Sequence, residues 1–485
     1  MSPEFSNDGS MVEYTSAPLV AAKWEWNTLT VPVLGGEPRL MLPNAEGLTW
    51  IDASHILFSQ ILTGYHMALV TSGADGSNTR SVYVPPRERG MAHRSALSPN
   101  HKWVLVAEMD NGGWLPCRLV PFDGSSPGNS VGPPDAACTY ANWSPDGKWM
   151  YFSSNASGRF HIWREPFPSG NLEQVTSGAT EEEGIAMAPD GKSLITSVGT
   201  TQSTVWVRDA RGERQISSEG YAKDPKFSRD GTKLYYIILR NGAGGTFARQ
   251  GGELWVADLA TGRSQRLLGS TLVTSYDLSR DDTEAVFSAA DDKGRSHLWL
   301  ASLDLRFPPR EFASPADEDQ PFWGANGYIY FRAAEGKLNF LYRMKSDGSG
   351  REKALPKPIF ELQAISPSGD WAIVDEGTGT QQVAEPLQGG TPIAICAGYC
   401  AAGWSRDGRV FSAFVQLMDG MRTVTASVTP NREFPALPPE GISEANLEHL
   451  KDVNVLRSMV FLGTANTSAF LREEVHRNLF RVPLQ

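Results

Sequence analysis

A short turn followed by a short apolar strand recurs along this chain, and that periodicity limits the fold more than any other feature. The clearest copy is Trp143-Ser144-Pro145-Asp146-Gly147-Lys148 leading into Trp149-Met150-Tyr151-Phe152. Close copies are Met187-Ala188-Pro189-Asp190-Gly191, Phe227-Ser228-Arg229-Asp230-Gly231 and Trp404-Ser405-Arg406-Asp407-Gly408. Weaker ones sit at Phe5–Gly9, Leu97–Asn100, Leu278–Asp282, Trp323–Gly327 and Ile365–Gly369. Counted at the third turn position, from Asn100 through Asp146, Asp190, Asp230, Asp281, Asn326 and Ser368 to Asp407, the steps are 46, 44, 40, 51, 45, 42 and 39 residues. Repeats of this length stack as blades or solenoid units.

Each copy has the physics of a small antiparallel meander. Pro presets the second turn position, Ser and Asp hold the turn through their side chains, and Gly eases the exit. Aromatic and β-branched strands follow, broken by Gly, Asp and Asn. Such a sheet cannot bury both faces alone, and radial stacking does it. The gap from Asp8 to Asn100 is two periods, so a copy without its Pro is expected at Leu48–Phe58. Another is expected at Val455–Leu484, giving about eleven units.

The expected fold is therefore all-β, a β-propeller of four-stranded antiparallel blades. Eleven units exceed the usual 4–8 blades of one ring. Two tandem propellers are expected, residues 1–178 as an incomplete ring and residues 179–485 as a ring of about seven blades, with a single oversized ring as the alternative. One helix is expected near 443–451, where Ser443 caps a stretch with Leu447 and Leu450 at helical spacing.

Net charge is −11, which argues against nucleic acid as a partner, since that needs a basic surface. No apolar run reaches the roughly 18 residues of a membrane span. A repeat begins within the first ten residues, so Met1 reads as a cut edge within something longer. The four cysteines permit two disulfides. For Cys396 and Cys400, a disulfide, two buried thiols and a metal site all stay open, with the disulfide expected in an oxidising compartment.

Chemistry is hard to find. The strings Gly124-Ser125-Ser126-Pro127-Gly128 and Gly128-Asn129-Ser130-Val131-Gly132 match the nucleophile pattern but lie in a loop rich in Gly, Pro and Ser. No phosphate loop, kinase set or His-Glu-x-x-His pair occurs. The expectation is a chain that is not an enzyme, with no catalytic residue, no metal and no cofactor. A protein, peptide or small-molecule ligand is the expected partner. Acids placed similarly before inner strands mark the candidate site: Glu181, Glu182, Glu183, Asp224, Asp317 and Asp319, with His93 at the corresponding loop. Crowded acids there would favour a cation or a basic ligand.

The repeat resembles the WD40-like repeat of TolB-type propellers. Arg89–Arg94, Cys117–Ser126, Thr180–Gly191 and His476–Leu484 resemble the C-terminal half of a group of acidobacterial-type receptor serine/threonine kinases. The resemblance implies a periplasmic sensor or interaction region, tethered in a parent protein by an upstream membrane span. It covers none of a kinase domain, so no catalytic residue carries over. A TolB-like periplasmic adaptor and a propeller enzyme acting on sugars or peptides are the alternatives.

Overall fold

The computed structural model describes residues 3–16, 26–62, 66–87, 90–110, 113–218, 220–239, 251–291, 294–336, 338–376, 382–398, 400–417, 420–429, 432–464 and 466–484. Two calls touch residues outside this set: Arg89 of the resemblance and Tyr399 between Cys396 and Cys400. Strands make up nearly all of the regular structure of the described chain, in antiparallel sheets that, one long ribbon apart, are ordered as they occur in sequence. No helix of the described residues is long and apolar enough to cross a membrane.

The pairing resolves into eleven blades. Blades 1 to 4 begin at the inner strands Glu4–Phe5, Ala45–Trp50, Gly90–Leu97 and Cys138–Trp143. Blades 7 to 11 begin at Tyr221–Phe227, Ser275–Leu278, Glu318–Trp323, Glu361–Ile365 and Cys400–Trp404. Blade 2 fills the expected gap, with Trp50 paired to Ile56 across its first hairpin.

Blades 5 and 6 share two long strands, Ser193–Asp209 and Thr467–Pro483. These pair antiparallel without interruption from Ser193↔Pro483 to Arg208↔Ser468. At one end Glu181–Met187 joins the ribbon through Glu181↔Gly199 and Met187↔Leu194, making blade 5. At the other end Gly212–Gln215 flanks one strand and Phe461–Thr464 the other, making blade 6. Blade 6 is thus built half from the middle of the chain and half from its last residues.

Contacts between blades define the path. Phe414 of blade 11 meets Phe461 of blade 6, ring centroids 5.6 Å apart. Gly463 of blade 6 lies against the Phe227 ring of blade 7, where a Cβ would come within 2.7 Å. Inner strands of neighbouring blades exchange side-chain-to-backbone bonds. Asp277 accepts from the Trp323 amide (2.9 Å), Gln320 from Leu362 (2.9 Å) and Gln363 from Ala402 (3.0 Å). With Lys226 bonded to Asp277 at 3.1 Å, these contacts close a circuit through blades 6 to 11. Blades 1 to 5 form a series in the same way, through Gly47 to Thr15, His93 to Glu46, Arg94 to the Thr139 carbonyl and Asn142 to the Ile185 carbonyl. Among the described residues no hydrogen bond or ion pair joins blade 5 to blade 1.

The expected boundary near Gly178 falls between the sheet of blade 4 and the sheet that begins at Glu181–Met187, as at most blade junctions. Seven units were counted after it, and one of them, blade 5, packs with blade 4. The helix expected near 443–451 is a correction: only Leu447–His449 is helical, as a single 3₁₀ turn whose cap is Asn446, not Ser443. Three turning residues cannot propagate a helix, because nucleation is costly and needs a longer run.

The turns behave as their chemistry requires. In Ser144–Gly147 the Ser144 hydroxyl bonds Asp146 at 2.6 Å, the Gly147 amide reaches the Ser144 carbonyl at 2.9 Å, and Gly147 adopts φ +70. The left-handed fourth position explains the Gly. Successive turns stack, so that Gly191 lies over Pro145 at 3.5 Å and Gly408 over Pro367 at 3.0 Å, measured to a Cβ built on each Gly.

The core lies between blades, as nine apolar clusters. Two disulfides cross such seams. Cys117 bonds Cys138, linking blades 3 and 4, and Cys396 bonds Cys400, linking blades 10 and 11. The second is the expected pair.

Candidate functional site

The acids singled out in the sequence do begin inner strands, but they divide between the two series. Glu181, Glu182, Glu183 and His93 belong to blades 5 and 3. Asp224, Asp317 and Asp319 belong to the circuit, at blades 7 and 9. The structure therefore does not bring all of them to one mouth.

Most are engaged within the protein. Glu182 is buried, and its carboxylate accepts from the Thr176 hydroxyl (2.7 Å) and the Thr180 hydroxyl (3.2 Å) and lies 2.7 Å from His161 Nδ1. The Ser153 hydroxyl bonds its carbonyl at 2.7 Å. It bolts blade 5 onto blade 4. Glu181 is buried beside Arg477 (3.3 Å), and burial, with Glu183 nearby, pushes its carboxyl up. Glu183 lies 3.7 Å from the same Arg477. His93 Nδ1 sits 3.0 Å from Glu46, both buried, with Trp26 and Trp114 each 5.4 Å from its ring.

In the circuit, Asp224 stands at φ +50 with its side chain half exposed, and its carbonyl accepts from Tyr276 at 2.8 Å. Asp317 accepts from the Ser296 amide at 2.9 Å. Asp319 takes both arms of the buried Arg332, at 2.7 and 2.6 Å. Arg332 also donates to the Phe360 carbonyl and feels Glu361 and Asp317. Burial pushes the Glu361 carboxyl up against the pull of Arg332, and Asp375 and Asp319 add to the push. Asp375 is fully buried and lies 3.4 Å from Gln382 Nε2. Asp319 pairs with the Arg332 guanidinium, Asp317 and Glu361 lie within its field and Asp375 lies beside Glu361, so acids gather at the seam of blades 9 and 10.

Sequence reasoning missed Arg332, Glu361 and Asp375, although a signal existed. Four residues after the first strand residue that follows the turn, blades 2, 4 and 8 place the buried Ser59, Ser153 and Ser288. At that position blade 9 has Arg332 and blade 10 has Asp375. Two adjacent repeats exchange a small residue for a charged one, and burial of opposite charges is tolerated only when they are paired. No group of three or more His, Cys, Asp or Glu among the described residues has metal-binding geometry.

No family model matches the chain. An uncharacterised protein of Agrobacterium fabrum is 32% identical over 54 residues, 11% of this chain and 18% of that protein, so the match spans less than a fifth of that relative. Among solved structures, TolB from Acinetobacter baumannii is 14% identical with a TM-score of 0.23, over 71% of this chain and 79% of TolB. An oligogalacturonate lyase from Vibrio parahaemolyticus is 13% identical with a TM-score of 0.34, over 70% and 97%. The tricorn protease is 10% identical with a TM-score of 0.35, over 98% of this chain and 49% of the protease.

These comparisons correct one expectation. The lack of kinase and hydrolase motifs was read as the lack of any enzymatic activity. Proteins of similar fold include a lyase and a protease, so a propeller without those motifs is not thereby a non-enzyme. The identities are too low to bring either activity to this chain.

Proposed function

We propose that the chain reads a ligand outside the cytoplasm, as the sensor or interaction region of a receptor serine/threonine kinase of the kind its repeats resemble. Its two disulfides at blade seams support an oxidising, periplasmic setting. The observation that carries the binding site is the gathering of acids near Arg332. Asp317, Asp319 and Glu361 lie around Arg332, Asp375 lies beside Glu361, and Asp224 adds a half-exposed carboxylate in the inner strand of blade 7. Such a site attracts a cation or a basic peptide, and salt weakens the attraction.

The test is calorimetric titration of the whole chain with an oligolysine peptide at low and high salt. Binding that weakens with salt and falls in Asp224→Lys, with Glu183→Lys in blade 5 unaffected, supports the reading. Absence of binding at low salt, or equal loss in both variants, overturns the site. Turnover of an oligosaccharide or peptide by the same preparation would assign the enzyme reading instead.

A further inference from the structure

Among the described residues ten of the eleven blades have at least four strands, and blade 5 has three. Its inner strand Glu181–Met187 pairs with Ser193–Gly199, which pairs with the end of Thr467–Pro483, and no fourth strand follows among the described residues. The outer edge of Thr467–Pro483 is paired with Phe461–Thr464 only up to Ala469. From Phe470 to Pro483 its outward backbone groups have no strand partner among the described residues. The side chains there are open as well: Leu479 is 76% exposed, Val475 59% and Phe480 51%. An edge this long that carries apolar residues is a template for another strand.

The sequence of this edge indicates what pairs with it. Alternate residues Glu473, Val475, Arg477, Leu479 and Arg481 share one face of the strand. A two-fold axis through Arg477, perpendicular to the sheet, lays the strand antiparallel against its own copy. Glu473 then faces Arg481 of the other copy, and Val475 faces its Leu479, each pair occurring twice. Opposite charges and apolar residues directly opposed are the pairs that stabilise a sheet, and a self-complementary patch is the requirement of a two-fold interface. Only Arg477 meets its own like. Its guanidinium is turned inward to Glu181 (3.3 Å) and Glu183 (3.7 Å), which neutralise it. Shifting the register by two residues sets Val475 against Arg481 and Leu479 against Arg477, and the complementarity is lost.

We infer that the chain dimerises through this edge, residues 473–481 of two copies pairing antiparallel so that the two incomplete blades become one continuous sheet. The partner is a second copy of this chain, since the face of the edge that carries Glu473, Val475, Leu479 and Arg481 complements itself in charge and in apolar placement.

Light scattering coupled to gel filtration on the full chain tests the inference. Wild type is expected at twice the monomer mass, dissociating on dilution. Glu473→Arg sets Arg against Arg twice, and Arg481→Glu sets Glu against Glu twice. Each is expected to raise the dimer dissociation constant by at least about tenfold. Mixed in equal amounts, the two variants are again complementary at both contacts and should restore the dimer as a heterodimer. Circular dichroism of each variant checks the fold, and Leu338→Lys, at an exposed apolar residue of blade 9, is the surface control. A wild-type chain that stays monomeric at high concentration, including one whose edge is filled by another protein, overturns the inference. So does a dimer that both variants leave intact, or a mixture that fails to reassociate while both variants are folded.

Discussion

Arg406, in the first turn of blade 11, donates from Nη2 to Asp282 Oδ1 at 3.1 Å in the corresponding turn of blade 8. Blades 8 and 11 lie opposite one another in the circuit of six, so the pair crosses it. Asp282 occupies the fourth turn position, where Gly147, Gly231 and Gly408 stand, and it holds φ +55. Its other carboxylate oxygen accepts from the Arg229 amide of blade 7 at 2.7 Å. A residue that departs from the repeat, at a backbone position that disfavours it, ties three blades together.

Two effects oppose one another in Asp282→Gly. Relief of the left-handed backbone contributes about 1 kcal/mol. Loss of two bonds to a partly buried carboxylate costs about 1.5–3 kcal/mol for a charged pair. Loss wins, and thermal unfolding of Asp282→Gly is expected at a lower temperature than wild type. Asn at the same position keeps an acceptor and tolerates the conformation, so its melting temperature should fall between the two.

Glu182 is a structural acid rather than an open one. Glu182→Ala leaves His161, Thr176 and Thr180 without their acceptor between blades 4 and 5. The expected destabilisation is about 2–4 kcal/mol, from buried groups left unpaired. Chemical denaturation of the variant measures it. A change below about 0.5 kcal/mol, as on an open surface, would mean the network does not hold the seam.

Stability should depend on pH in two directions. The turn carboxyls are held down. Asp8 falls to about 2 through the Ser10 amide and neighbouring hydroxyls, and Asp146, Asp230 and Asp281 are lowered, chiefly by the hydroxyls of Ser144, Ser228 and Ser279. A depressed folded value contributes stability above the unfolded value of about 3.9 and loses it as pH falls through the folded value. Buried Glu181 and Glu361 are pushed up, so their contribution is full below the unfolded value and is lost as pH rises through the folded one. The melting temperature is therefore expected to rise slightly from neutral to mildly acidic pH and to drop steeply below about 4. A melting temperature that is flat from pH 5 to 2 would contradict the turn assignment.

The two disulfides should differ in weight. Cys117 and Cys138 are 21 residues apart, and Cys396 and Cys400 are 4 apart. On the chain-entropy model the longer loop gives about 3 kcal/mol and the shorter about 2. Paired Ser substitutions compared by denaturation should show the larger loss for Cys117 and Cys138. Equal or reversed losses would point to strain or seam packing as the controlling term.

The repeat alone determined that this chain builds blades, and close to how many. Turn chemistry is local: Ser144, Asp146 and Gly147 bond one another within four residues, so the same letters give the same turn wherever they occur. The Cys396–Cys400 bond was open to sequence for the same reason, as a contact of short span. The placement of Glu181–Glu183 at an inner strand was equally legible, but their engagement was not. That depends on Thr176, His161 and Arg477, the last of which is 296 residues from Glu181. Arg332 and Asp375 announced themselves only as departures from a Ser position, visible once the blades were aligned. The ribbon of Ser193–Asp209 with Thr467–Pro483 was decided by the tertiary structure alone. Strand pairing satisfies backbone groups that every residue carries, so side chains say little about which distant strand supplies the partner. That pairing completes blade 6 and leaves blade 5 one strand short among the described residues.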